Sequence, residues 1–272
     1  MKRSFEIGLE EGRKWTLCVD ADVLLRQNAI LMLLLFAERQ STDVLEVQGM
    51  VFDKFFNMPR QAGNHLYRTS LLDKAVKCIP EEGVNIRPEG HMLNEMKRRG
   101  YPWVKMHYVV GLHDFEQYYS DVYRKNFVHA RKHPDFAGHF LPYWKEKMQI
   151  DTDFEVAMGA FADGLEYNDD LYIDKNQDLY KVKFENLDLK EKPPAEGSFI
   201  GLREVEDRLQ RLMGDHYAEL NLNRYHPNAF KRLKAWLAGD GRESGILKSI
   251  AARAGTKMQG WGKRIEEIAR DR

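Results

Sequence analysis

Cysteine and long apolar runs are scarce in this chain. Its 272 residues include two cysteines, Cys18 and Cys78, which cannot form the disulfide framework of a small secreted protein. The longest apolar run, Ala29 to Ala37, has nine residues, whereas a membrane-spanning helix needs about 20. We therefore expect a cytoplasmic protein built around an ordinary hydrophobic core.

Net charge is also absent, because 42 Lys and Arg balance 42 Asp and Glu. This balance argues against nucleic-acid binding, which depends on a concentrated basic surface. The charge is uneven along the chain, however: residues 224–272 contain twelve Lys and Arg against five Asp and Glu, a net charge of +7. Such a basic end leaves a membrane surface or an acidic partner open as an interaction.

Hydrophobic patterning predicts interleaved helices and strands in the first half of the chain. An almost wholly apolar stretch over 24–39 predicts a buried helix. Strands and helices that alternate in this way favour an α/β fold, with a mixed sheet, flanking helices and a site at the carboxyl ends of the strands. The predicted strands are 15–19, 44–56 and 101–112, and the other predicted helices are 4–13, 70–77, 88–99 and 115–132.

The second half of the chain has a different sequence pattern, which predicts a mostly helical C-terminal extension. Helices are predicted at 136–149 and 151–165, and a polar hairpin at 171–187. A linker signal, Lys190-Glu-Lys-Pro-Pro194, precedes a basic, helical remainder. We therefore expect three regions: an α/β domain over 1–133, a helical and hairpin extension over 134–195, and a basic helical region over 196–272.

The sharpest motif is Asp20-Ala21-Asp22, which directly follows the apolar strand Trp15 to Val19. Carboxylates at positions i and i+2 of a strand end point to the same face and can reach one cation. Hard oxygen ligands of this kind suit Mg²⁺ or Mn²⁺, which keep coordination positions open for phosphate oxygens. The motif therefore predicts a divalent metal site.

The segment resembles the Asp-x-Asp metal site of GT-A-fold glycosyltransferases, which transfer a sugar from a nucleotide donor. Three later segments fit the same template in the same order. The first, Gly63-Asn-His-Leu-Tyr-Arg-Thr69, is similar to the family's glycine-containing turn before a helix on the acceptor side. The second, Pro88-Glu-Gly-His-Met-Leu-Asn94, falls where the family places a carboxylate near the reacting groups, and the third, Val109-Val-Gly-Leu-His-Asp114, is similar to a late strand whose histidine completes the metal site.

The resemblance covers residues 4–130 and implies a role for each matching residue. Asp20, Asp22 and His113 would hold Mn²⁺ or Mg²⁺ against the donor diphosphate, and Glu89 or Asp114 would take the acceptor proton. One helix and one strand precede the Asp-x-Asp, so we expect a partial GT-A fold that lacks most of the N-terminal nucleotide-binding half. Substrate contacts are expected from Gly63, Asn64, Arg68, His91 and, by stacking on a sugar, Trp103.

Two other functions remain open from the sequence. The chain would be a non-catalytic binding or assembly module if the GT-A-like half is a remnant. It would be a haloacid-dehalogenase-like phosphatase if Asp20 is a nucleophile and Asp22 an acid/base, although Leu24 stands where that family has Thr or Val. At the C-terminus an apolar stripe predicts a helix that packs on this protein's own core, with a dimer seam (a homo-oligomer) or an anionic membrane surface as alternatives. The stripe is Leu247, Ala251, Ala254, Met258, Trp261, Ile265 and Ile268.

Overall fold

A six-stranded mixed sheet forms the centre of the structure, a computed structural model that describes residues 1–132, 137–171, 177–193 and 201–214. The α/β class and the flanking helices expected from the sequence are thereby confirmed. The strands are β1 (Trp15–Val19), β2 (Val23–Leu25), β3 (Glu46–Asp53), β4 (Met58–Gln61), β5 (Asn64–Arg68) and β6 (Trp103–His113).

The strand order is β1-β5-β3-β6-β2, and β4 also pairs with β3. β3 and β6 are parallel, while β5 is antiparallel to both β1 and β3. It follows that β1, β3 and β6 run in one direction and have their carboxyl ends at the same edge of the sheet. This edge carries the residues discussed below.

Nine α-helices surround the sheet in the described part of the chain. The structure confirms the helices expected near residues 4–13, 70–77, 88–99, 115–132, 136–149 and 151–165. A short 3₁₀ turn, Thr69–Leu71, leads into the third helix. The bounds are α1 (Lys2–Glu11), α2 (Ala29–Ala37), α3 (Leu72–Val76), α4 (Pro88–Arg98), α5 (Tyr119–Lys132), α6 (Ala137–Lys147), α7 (Thr152–Glu166), α8 (Gln177–Glu185) and α9 (Leu202–Met213).

The predicted buried helix over 24–39 is wrong in both extent and burial. Its first residues form β2, which pairs with the end of β6, and Asn28 then takes a left-handed conformation with φ of 62° before α2 begins. α2 packs on the sheet through one face only. Three large apolar side chains on the other face are about half exposed: Ile30, Leu31 and Leu35.

The predicted polar hairpin over 171–187 is also wrong, because α8 occupies most of that stretch. Tyr180 and Phe184 lie one helical turn apart and are both buried against α5, where their rings contact Phe127 and Tyr123. These contacts belong to an aromatic core formed by α5, α6, α7 and α8 beside the sheet.

The last described helix, α9, packs directly on the sheet. Val205, Leu209 and Met213 are buried against side chains of β3 and β6. At its side, Glu206 pairs with the buried Arg26, which follows β2. The predicted apolar stripe over 247–268 lies outside the described residues.

Among the described helices, none has the length and apolar character needed to cross a membrane.

Candidate functional site

The carboxyl-end edge of the sheet brings together residues that are far apart in the sequence. Asp20 follows β1, Asp53 ends β3 and His113 ends β6. Two backbone hydrogen bonds close the Asp20–Asp22 loop over this edge: the N–H of Asp20 donates to Gly63 O at 2.8 Å, and the N–H of Asp114 donates to Asp22 O at 3.2 Å. As a result, both carboxylates of the Asp-x-Asp motif lie beside the end of β6.

The ring of His113 is held in a defined orientation. Its Nδ1 lies 2.8 Å from Asp53 Oδ2, and its Nε2 lies 3.5 Å from Asp22 Oδ1. Asp53 is itself fixed, because the backbone N–H groups of Phe55 and Phe56 donate to its Oδ1 at 3.0 Å and Arg60 donates to its Oδ2 at 2.7 Å. A carboxylate on one ring nitrogen directs the other nitrogen toward a ligand, which is a common arrangement around metal-binding histidines.

Lys125, from α5, lies within the same cluster. Its Nζ donates to Asp22 Oδ2 at 2.6 Å, pairs closely with Asp114 Oδ1 and lies 3.3 Å from His113 Nε2. Gln117 Nε2 donates to Asp22 Oδ2 at 2.9 Å and to Asp114 Oδ1 at 2.6 Å. These contacts occupy Oδ2 of Asp22, whereas its Oδ1 accepts no hydrogen bond from a described residue and lies 3.5 Å from His113 Nε2.

The charged neighbours in the cluster shift the pKa values of His113 and Asp22. Burial alone would lower the pKa of His113, but the neighbouring carboxylates Asp114 and Asp53 outweigh burial and raise it to about 9. Burial alone would raise the pKa of Asp22, but Lys125 and His113 outweigh it and hold that pKa below its ordinary value. Without a bound cation, His113 is therefore an imidazolium at pH 7.

Asp20, Asp22 and His113 have the geometry of a cation site, since one ligand atom from each lies within 4.8 Å of the others. Asp22 Oδ1 is buried and has no hydrogen-bond partner among the described residues. Gly63 borders this space, because a Cβ there would lie 3.4 Å from both Asp20 Oδ2 and His113 Cδ2. Two carboxylates and one imidazole suit Mn²⁺, and also Mg²⁺ if waters complete its shell. The donor set and the vacant oxygen both fit the ion that the sequence predicts.

Glu89 lies in a second group of contacts, at the first turn of α4. Its Oε1 accepts a hydrogen bond from Tyr67 Oη and lies 3.0 Å from His65 Nδ1. Together with Asp20 it lines a cleft of about 650 Å³ between α1, β1 and α4. One of the predicted metal ligands, Asp20, and the predicted base, Glu89, therefore line the same cavity.

The other predicted site residues differ in whether their side chains are available to a ligand. Asn64 lies next to Gly63, but its amide is used by the backbone of Gly49 and Ala62. Asp114 is fully buried and paired with Lys125, whereas Glu89, the other predicted base, lines the cleft. His91 is exposed on α4.

Arg68 and Trp103 do not reach the cluster. Arg68 donates to the backbone of Val44 and Ser41 and covers the Trp15 ring, at the opposite end of β1. Trp103 begins β6, ten residues before His113, which is about 30 Å along a strand. The predicted turn over 63–69 is correct for Gly63 alone, since Asn64–Arg68 forms β5.

Sequence reasoning missed Asp53, Lys125 and Gln117. Asp53 carries a usable signal, because it is a carboxylate at the carboxyl end of an apolar strand, as His113 is a histidine at the end of β6. Lys125 and Gln117 carry none, since their approach depends on how α5 turns back over the sheet edge.

Comparisons with models of protein families, with curated proteins and with solved structures find no match to this chain.

Proposed function

We propose that this protein is a metal-dependent, GT-A-like glycosyltransferase that moves a sugar from a nucleotide donor to an acceptor. One observation carries the proposal: Asp20 and Asp22 lie within metal-ligand distance of His113, more than 90 residues later, at the carboxyl ends of parallel strands. This is the juxtaposition that the resemblance implies.

Each residue has a distinct role in this proposal. A Mn²⁺ or Mg²⁺ ion held by Asp20, Asp22 and His113 would neutralise the charge of the departing diphosphate. Asp53 holds the His113 ring so that Nε2 faces the ligand position. Lys125 adds a positive charge beside the same position.

Glu89 is the proposed base. Its side chain is about one-third exposed, and it faces the cleft that Asp20 also lines. A carboxylate in this position accepts the proton of an acceptor hydroxyl as the new glycosidic bond forms. Tyr67 Oη donates to Glu89 and fixes the direction of its free oxygen.

A non-catalytic binding module is the second candidate, and a specific observation favours it. Lys125, protonated His113 and Arg60 already balance the charges of Asp22, Asp53 and Asp114 without a metal ion. A closed ion-pair network of this kind needs no cation. The two candidates therefore differ in whether a metal displaces the proton of His113.

The experiment is an assay for nucleoside diphosphate release from a panel of nucleotide sugars, with Mn²⁺ or with EDTA. We expect release that requires the metal, disappears in Asp22→Asn and persists in the control Asp73→Asn, which alters an exposed carboxylate on α3. Metal-independent release, or full activity of Asp22→Asn, would contradict the proposal. Hydrolysis of an aryl phosphate with Mg²⁺ would instead support the phosphatase alternative.

A further inference from the structure

The floor of the cleft holds a second group of metal-type ligands, separate from the Asp-x-Asp cluster. Glu46 begins β3 and is paired across the sheet with Tyr67 of β5. His65 lies two residues before Tyr67 on the same strand, so all three side chains share one face. Glu89 approaches this face from the first turn of α4.

The three ligand atoms are already close together. His65 Nδ1 lies 2.8 Å from Glu46 Oε1 and 3.0 Å from Glu89 Oε1. One ligand atom from each residue lies within 4.8 Å of the other two. Ligands around a four-coordinate Zn²⁺, at about 2.0–2.2 Å from the ion, have separations in this range.

Glu46 supplies an independent sign of a missing positive group. Its side chain is fully buried, and Oε2 has no hydrogen-bond partner among the described residues. A buried carboxylate oxygen without a partner is costly, and such oxygens normally pair or bind a metal. In the described part of the chain, His65 is the one cationic residue in ion-pair contact with either Glu46 or Glu89.

We propose that Glu46, His65 and Glu89 form a binding site for a zinc-type transition-metal ion at the floor of the cleft. One imidazole and two carboxylates are the donor set of many zinc sites that keep a fourth position open. Here the open position faces the cleft, which His65, Tyr67 and Glu89 line. The site shares no residue with the Asp20–Asp22–His113 cluster. Two of its ligands, Glu46 and His65, are buried, whereas only His113 is buried in that cluster.

Zinc binding at this site would regulate glycosyl transfer, and only this consequence rests on the proposed function. Glu89 cannot both ligate Zn²⁺ and accept the proton of an acceptor hydroxyl. Zinc at this site would therefore inhibit transfer, while Mn²⁺ at the Asp-x-Asp cluster would support it.

The test measures Zn²⁺ binding by the full chain in the absence of nucleotide sugars, so its result is independent of glycosyl transfer. Asp22→Asn serves as the reference protein, because it removes a ligand from the Asp20–Asp22–His113 cluster, while the buried Asp53–His113–Asp114 group stays the same in every protein compared. After removal of metal by EDTA, we expect this variant to bind one equivalent of Zn²⁺. Adding His65→Gln should weaken that binding by about 100-fold or more. No binding by Asp22→Asn, or equal binding after His65→Gln, would overturn the proposal.

A second measurement covers the case in which His65→Gln does not fold, as judged by circular dichroism. Co²⁺ is added to the folded Asp22→Asn protein and its visible spectrum recorded. Intense bands of four- or five-coordinate Co²⁺ that are lost when Glu89→Gln is added support the proposed site, since Glu89 is not a ligand of the other candidate groups. Bands that Glu89→Gln leaves unchanged would contradict it. The weak spectrum of the hexa-aqua ion would overturn the proposal.

Discussion

His113 Nδ1 and Asp53 Oδ2 lie 2.8 Å apart at the ends of two parallel strands. The contact places a proton on Nδ1 and leaves Nε2 facing Asp22. The orientation of His113 therefore depends on Asp53, a residue outside the Asp20-Ala21-Asp22 motif. The same contact also raises the affinity of the ring for a proton. A metal ion at this site must therefore compete with that proton.

The first prediction concerns pH. The pKa of His113 is raised to about 9 in the fold, against an ordinary value near 6.5. The folded state thus binds a proton that the unfolded state releases, and the resulting stability is fully present below pH 6.5 and is lost as pH rises through 9. In EDTA, we expect the free energy of unfolding of the wild type to fall by about 3 kcal/mol more than that of His113→Gln between pH 6 and 10. Urea denaturation checks this, and parallel pH profiles of the two proteins would refute it.

The second prediction concerns Lys125. Lys125→Met removes the lysine that Asp22 and Asp114 share and leaves His113 as their one ion-pair partner among the described residues, which should cost about 3 kcal/mol in EDTA. Mn²⁺ should restore much of this loss, so the metal-induced rise in melting temperature should be larger in the variant than in the wild type. The control Lys14→Met breaks an exposed pair with Glu38 and should change the stability far less, because solvent screens that pair. A Lys125→Met protein that Mn²⁺ does not stabilise would favour the closed ion-pair network.

The third prediction compares two glycines with the same backbone conformation. Gly63 and Gly12 have φ of 61° and 63°. Alanine at either position should cost about 1–2 kcal/mol for the left-handed backbone. At Gly63 the added Cβ would also lie 2.5 Å from the buried Val23 Cγ2, whereas at Gly12 it meets nothing within 4 Å.

We therefore expect Gly63→Ala to cost about 1–3 kcal/mol more than Gly12→Ala, because the Val23 side chain is short and cannot move away. Chemical denaturation of both variants measures the difference. Equal losses of stability would show that the space beside Asp20 and His113 is less restricted than the structure indicates.

Much of the α/β part follows from local patterns. Pro88 at the first turn and the apolar spacing of α4 define that helix, and β1 ends where the apolar run meets Asp20. The same reasoning placed Asp22 and His113 at strand ends, because acidic or histidine residues directly after apolar strands are easily recognised. These elements are set by residues close to one another in the chain.

The remaining features depend on tertiary contacts that no local pattern contains. The run 24–39 is apolar enough to predict a buried helix, but its first residues pair with β6 and form part of β2. The helix that follows, α2, is shorter than predicted and leaves Leu31 exposed. α8 forms because Tyr180 and Phe184 find partners on α5. Lys125 enters the site by the same long-range packing. The division into three regions and the GT-A family assignment stay predictions.

The fourth prediction concerns α9. Leu209 is fully buried against β3 and β6, whereas Leu212 on the same helix is 38% exposed. Leu209→Ala should lower the free energy of unfolding by about 2–5 kcal/mol, and Leu212→Ala by less than about 1 kcal/mol. Similar small effects would mean that α9 is not part of the sheet's core.

The most direct test of the metal-dependent donor site is a thermal-shift titration with Mn²⁺ and a panel of nucleoside diphosphates, run on the wild type and on Asp22→Asn. A ligand that binds only the folded state stabilises it by about 2.7 kcal/mol at 100 times its dissociation constant. We predict a rise in melting temperature that requires both Mn²⁺ and one class of nucleotide, and that is lost in Asp22→Asn. An identical response of the two proteins, or no response to any nucleotide with Mn²⁺, would contradict a donor site at Asp20, Asp22 and His113.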